Sequence, residues 1–156
     1  MWRTVRRARN RVACHRPGWK PGRVTIRLVR SARLYAGVPY AYASVGSPAA
    51  LVFTAGACPL GPDGAVVGPG DVRAQAGQAM SNLAEALAAA GSGLSRVLKT
   101  TIYVASGERA DLVAAWEVIS SEFGEHDAPS TLLGVTVLGW PGQLVEIEAV
   151  AMADPS

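Results

Sequence analysis

Apolar and polar positions alternate without a slip along Leu144 to Met152, LVEIEAVAM. Successive strand side chains point to opposite faces, so Val145, Ile147, Ala149 and Ala151 share one side. Leu144, Glu146, Glu148 and Val150 share the other. The first side predicts core; the second carries two carboxylates one pleat apart and is the predicted binding face. Just upstream, Thr131 to Leu138 predicts a companion strand, with Gly139, Trp140, Pro141 and Gly142 as the turn between the two.

The rest of the chain alternates strands and helices. Val24 to Val29 predicts a first strand, Ala36 to Pro39 a bend, and Tyr40 to Val45 a second strand with Tyr40 and Tyr42 on one face. Leu51 to Ala57 is a continuous apolar run, as in a strand covered on both faces. Gly56 inside it predicts close approach of a backbone or ligand. Gly61 to Gly64 (GPDG) is a turn closing a hairpin into Ala65 to Val67. From Asp71, an N-terminal cap, Val72, Ala76, Ala79, Leu83, Leu87 and Ala90 repeat at helical steps up to Gly91, a C-terminal cap. The many alanines and Gly77 predict a helix lying close on a sheet. Val97 to Val104 predicts a strand with Leu98, Ile102 and Val104 inward. Arg109 to Phe123 predicts a second helix with the apolar stripe Leu112, Trp116, Ile119 and Phe123. The expected fold class is α+β: a mostly antiparallel sheet with two long helices on one face.

Charge divides the chain of 156 residues in two. Residues 1–33 hold eleven bases and no acid; the remainder holds Arg73, Arg96, Lys99 and Arg109 against twelve acids, a balance of −8. The net charge of +3 therefore describes neither part. We divide the chain into a basic leader, 1–23, and a domain, 24–156. The leader, broken by Pro17, Gly18, Pro21 and Gly22, has three readings. It is a nucleic-acid arm, an Arg-rich targeting segment, or, the favoured reading, a disordered extension upstream of the true start. Nucleic acid is not the expected partner, and this leader is the one segment that could bind it. No apolar run approaches the ~18 residues of a membrane span. Cys14 and Cys58 have no metal or redox spacing, which points to a reducing cytoplasm.

Several chemistries are unsupported. The glycines of residues 61–70 lack the Lys-Ser/Thr ending of a phosphate loop. His15 and His126 form no zinc pair. His126, Asp127 and Ser130 are triad ingredients without a nucleophile elbow, and a solvated loop histidine is the expectation. Glu146 and Glu148 are the better candidates. An acidic outer face on an edge strand is the commonest origin of such a pair; the functional reading is a half-desolvated carboxylate relaying a proton through water.

Taken in order, Pro39-Tyr40, Phe53 to Gly64 (FTAGACPLGPDG), the helix ending AAG, Val97 to Val104 (VLKTTIYV) and Leu144 to Ala151 (LVEIEAVA) resemble the RidA/YjgF family over roughly residues 35–152. The resemblance implies a chorismate-mutase-like α+β fold and a cytoplasmic homotrimer with clefts between subunits. It implies hydrolysis of imines and enamines without metal or bound cofactor; other members have been described as translation inhibitors or ribonucleases. It makes Glu146 the catalytic, water-positioning group and Tyr40, Gly56, Ser130, Thr131, Leu132 and Trp116 substrate-binding. Ser130 stands where the deaminases carry a carboxylate-clamping arginine, and no Arg or Lys follows Arg109. A hydroxyl makes one neutral hydrogen bond where a guanidinium makes a bidentate charged pair. A neutral small-molecule ligand is therefore expected, and a non-catalytic metabolite-binding trimer is the alternative. Removing residues 1–23 is expected to leave the thermal midpoint within about 2 °C of the full chain, by calorimetry.

Overall fold

The computed structural model describes residues 26–29, 43–46 and 50–153. The strands are β1 (Ile26–Val29), β2 (Ala43–Gly46), β3 (Leu51–Phe53), β4 (Val97–Val104), β5 (Ser130–Gly134) and β6 (Val145–Met152); the helices are α1 (Val72–Ala89) and α2 (Arg109–Phe123). β1 and β2 pair antiparallel, and the other four form a sheet in the order β3-β6-β4-β5. The bend at Ala36–Pro39 and the start of the predicted second strand, including Tyr40 and Tyr42, lie outside the described residues.

β6 sits between β3 and β4, antiparallel to both. Its four predicted core residues are 0–4% exposed and pack with Ala76, Ala79, Leu83 and Leu87 of α1 and Ile119 of α2. Each large aliphatic side chain so buried stabilises the fold by roughly 1.5–3 kcal/mol. No described helix packs on the opposite side of the sheet, so the helices cover one face, as expected.

α1 begins where Asp71 accepts a bond from the Ala74 amide at 3.0 Å. It ends in a paired cap at Gly91 (φ +70°), with the Ser92 amide on the Leu87 carbonyl at 2.9 Å and the Gly91 amide on Ala88 at 3.0 Å. Gly77 faces α2 rather than the sheet; a Cβ there would stand 4.0 Å from Val118.

Three expectations are corrected. The apolar run 51–57 is not covered on both faces: only Leu51–Phe53 is strand, at the sheet edge, with Leu51 53% and Phe53 72% exposed. In β4 a bulge between Val97 and Lys99 shifts the register. Val97 thereby takes the inward place expected of Leu98, alongside Thr100, Ile102 and Val104. Finally, the chain from 131 to 152 is not a hairpin. β5 ends at Gly134 and runs parallel to β4, with α2 as the crossover, and residues 135–144 are a loop leading back to β6. Alternation cannot distinguish a hairpin from two strands separated by a third, because both show the same period.

The buried amide of Gln75 fixes that loop. It is 0% exposed, donates to the carbonyls of Gly142 (2.9 Å) and Gly68 (3.2 Å), and accepts from the Leu144 amide (2.7 Å). Replacing Gln75 by Leu strands three backbone groups. Urea unfolding is expected to show a loss of about 2–4 kcal/mol with an unchanged denaturant slope.

Candidate functional site

Past Phe53 the chain leaves the regular ladder but keeps hold of β6: the Thr54 amide bonds Ala149 (3.0 Å), and Ala57 exchanges bonds with Ile147 (2.7 and 3.2 Å). This brings Gly56 under the side chain of Glu146. A Cβ built on Gly56 would stand 1.8 Å from Glu146 Oε1 and 2.5 Å from its carboxyl carbon. Only glycine admits the carboxylate here, so the close approach expected at Gly56 comes from Glu146 itself.

Three residues not foreseen as site members complete this corner. Gln143 donates to Glu146 Oε2 at 2.9 Å, and Cys58 lies 3.5 Å from the same oxygen. The Trp140 amide donates to Gln143 Oε1 at 3.1 Å, and its side chain is 45% exposed. Burial, then the Glu146 charge and hydrogen bond, push the Cys58 thiol above its ordinary pKa; Gln143 and Trp140 act in the opposite direction as donors. Asn82 of α1 supports the segment by donating to the carbonyls of Cys58 (2.7 Å) and Leu60 (2.9 Å). Cys58 was legible by strand period, two residues from Gly56; Gln143, across a loop, had no such signal.

Further along the open face, Tyr103 donates to Glu148 (3.1 Å) and Lys99 donates to Thr131 Oγ1 (2.6 Å). The Glu148 hydrogen bond, reinforced by burial and charge, raises the Tyr103 pKa. Burial lowers the pKa of Lys99, opposed by Glu148. Lys99, Glu148, Thr101 and Phe53 line a cavity of about 140 Å³. The open face holds a cation, Lys99, which stands beside Glu148 rather than Glu146.

Ser130 and Trp116 lie elsewhere. The Ser130 hydroxyl meets the fully buried Thr100 Oγ1 at 2.7 Å and donates to the Ala128 carbonyl at 3.1 Å. It lines a cleft of about 90 Å³ with Trp116, Phe123 and His126. Trp116 and Leu132 are half-buried and pack against the core. His126 is not a solvated loop residue: its Nε2 sits 2.7 Å from the Val97 carbonyl. Ser130 pairs with Thr100 and Glu146 with Tyr103, on opposite sides of β4. Strand geometry puts their Cα atoms roughly 14 Å apart. Within one chain the two groups do not meet. A further cavity, about 730 Å³ at the ends of β4 and β5 around Arg109, is wide open and holds none of the predicted site residues.

Among the described residues no cluster of His, Cys, Asp or Glu could hold a metal ion, and no helix is long and apolar enough to cross a membrane. Sheet, helices and site define an α+β protein with a carboxylate laid against a glycine backbone at its centre. The family described as Endoribonuclease L-PSP matches residues 31–153. A RutC family protein of Synechocystis (slr0709) is 33% identical over 132 residues, 83% of this chain and 98% of the relative. Protein DfrA of Myxococcus xanthus is 34% identical over 116 residues, 74% of this chain and 86% of the relative. The structure of YyfB from Yersinia pestis, a Rid family protein of unknown function, superposes with a TM-score of 0.76 at 30% identity, covering 81% of this chain and 98% of that one. The chain belongs to the RidA/YjgF family and has its chorismate-mutase-like fold.

Because Glu146 raises the Cys58 pKa, Glu146→Gln is expected to bring thiolate formation to lower pH. Iodoacetamide alkylation of Cys58 across pH, in a Cys14→Ser background, measures it; an unmoved profile would contradict the contact.

Proposed function

We propose that the protein hydrolyses a small neutral imine or enamine, using Glu146 and water, in a cleft completed between copies of a homotrimer. The observation that carries this is the Glu146 carboxylate over Gly56: an acid–base group laid against a bare backbone, half-buried on a strand. Glu146 takes a proton from water as the oxygen adds to the C=N carbon, and the π pair moves to nitrogen, which receives that proton. The same carboxylate then takes the O–H proton of the carbinolamine and passes it to the amino nitrogen. The C–N bond breaks, ammonia leaves and the carbonyl forms. An enamine first takes a proton at carbon and gives one up from nitrogen, a tautomerisation to the imine.

Two features support an assembly. Ser130 and Trp116 lie too far from Glu146 to serve one small ligand within a chain, and Phe53 and Leu133 (44% exposed) are apolar residues on the helix-free side. A second copy of this chain is the occupant that brings the separated groups together. The neutral substrate follows from Ser130, whose hydroxyl is already engaged within the chain, and from the lack, among the described residues, of a cation paired with Glu146. The surplus of acids in residues 34–156 argues against RNA as the ligand.

Ammonia release from methyl β-aminocrotonate, a neutral enamine, tests the reading against α-iminopropanoate generated in situ. The neutral compound is expected to react at least about tenfold faster in kcat/KM, given the weaker hold of a hydroxyl on a carboxylate. Glu146→Gln is expected to fall to the buffer rate. Sedimentation is expected to give three times the 16.2 kDa of one chain. Equal turnover of both compounds would overturn the neutral preference; no acceleration of either would leave the non-catalytic binding trimer.

A further inference from the structure

We propose that Gln143 is a positioning residue that ties down one oxygen of the Glu146 carboxylate, with Cys58 as a second tie, so that the other oxygen is the atom that takes the proton. This assignment rests on the hydrolytic reading of the site and names the residues that orient its base.

The Gln143 side chain is 4% exposed and engaged at both ends. Its Nε2 donates to Glu146 Oε2 (2.9 Å) and to the Val145 carbonyl (3.1 Å), while its Oε1 accepts from the Trp140 amide (3.1 Å). Turning the amide would break all three bonds inside the protein, where each group left unpaired costs about 1–3 kcal/mol. The amide is therefore held in one orientation.

Cys58 approaches the same Oε2 at 3.5 Å. No hydrogen bond to Oε1 is formed among the described residues, and Oε1 is the atom nearest the position a Gly56 side chain would take. An oxygen that already receives donors has its lone pairs engaged and is the poorer proton acceptor; the one over Gly56 is available.

A glutamate on a strand otherwise has three side-chain torsions to order, and a misplacement of about 1 Å can cost a hundredfold in rate. Gln143 supplies that order from a loop itself clipped at Gly142 and Leu144 by Gln75 of α1. The base is thus oriented through α1 and the loop, two elements that contribute no carboxylate of their own to the corner.

Gln143→Met keeps the length of the side chain and removes its hydrogen bonds. With methyl β-aminocrotonate, kcat is expected to fall roughly ten- to a hundredfold with KM within about twofold. Gln143 also acts on Cys58 as a donor that lowers its pKa. The alkylation profile of Cys58, in the Cys14→Ser background, is therefore expected to move to higher pH in Gln143→Met, opposite to its movement in Glu146→Gln. A merely structural role would lower thermal stability without moving the two profiles in opposite senses. Wild-type kcat together with an unmoved Cys58 profile in Gln143→Met would overturn the assignment. Were Glu146→Gln to turn over the enamine at the wild-type rate, the hydrolytic reading would fail. The Cys58 profile, which needs no turnover, would still decide whether Gln143 holds this carboxylate.

Discussion

A strand with hydrogen-bonded neighbours on both sides has only two faces to offer, and β6 divides its residues between them without compromise. Val145, Ile147, Ala149 and Ala151 are sealed under α1 and α2, while Glu146 and Glu148 stand on the uncovered side. A slip of one residue would drive both carboxylates into the core, where an uncompensated charge costs several kcal/mol even after relaxation. The register is therefore locked by the acids as much as by the aliphatics. The same lock holds Glu146 at the position where the chain after β3 passes beneath it.

Around that carboxylate, order comes from buried amides rather than from charge pairs. Gln75 and Gln143 together make six hydrogen bonds, five of them to backbone groups of Gly68, of the loop before β6 and of Val145 at its start. Neutral amides can be buried at modest cost when every donor and acceptor is met, and each then resists rotation strongly. The exposed Arg73–Glu117 ion pair between the helices contributes far less, because both side chains remain more than half in solvent. Rigidity at the site is thus inherited from helix α1.

The open face carries a second charge arrangement, Lys99 with Thr131 and Glu148 with Tyr103, separated along the strands from Glu146. Its cation does not replace the arginine missing at Ser130. Ser130 stands on the helix side of the sheet against Thr100, while Lys99 stands on the other. The sheet so separates the two sets of candidate residues, and Phe53, 72% exposed, lies on the side that no described helix covers.

Much of this architecture follows from local pattern. The period of two in β6, the Asp71 and Gly91 caps of α1 and the stripe of α2 are set within a few residues, so the sequence alone determined those elements and the face on which Glu146 lies. The turn chemistry of Gly61 to Gly64 is local in the same sense, with Leu60 bridging Val66 across it. Pairing is not local. That β5 runs parallel to β4 and does not pair with β6, that a bulge turns Val97 inward, and that Leu51–Phe53 is an edge were decided only by packing. So were the partners of Glu146: Gln143 reaches it from the loop before β6 and Cys58 from the segment after β3, and the pairing of that segment with β6 is what brings them together. A side chain's face depends on its neighbours in sequence; what it touches depends on which distant segments the core brings within about 3 Å.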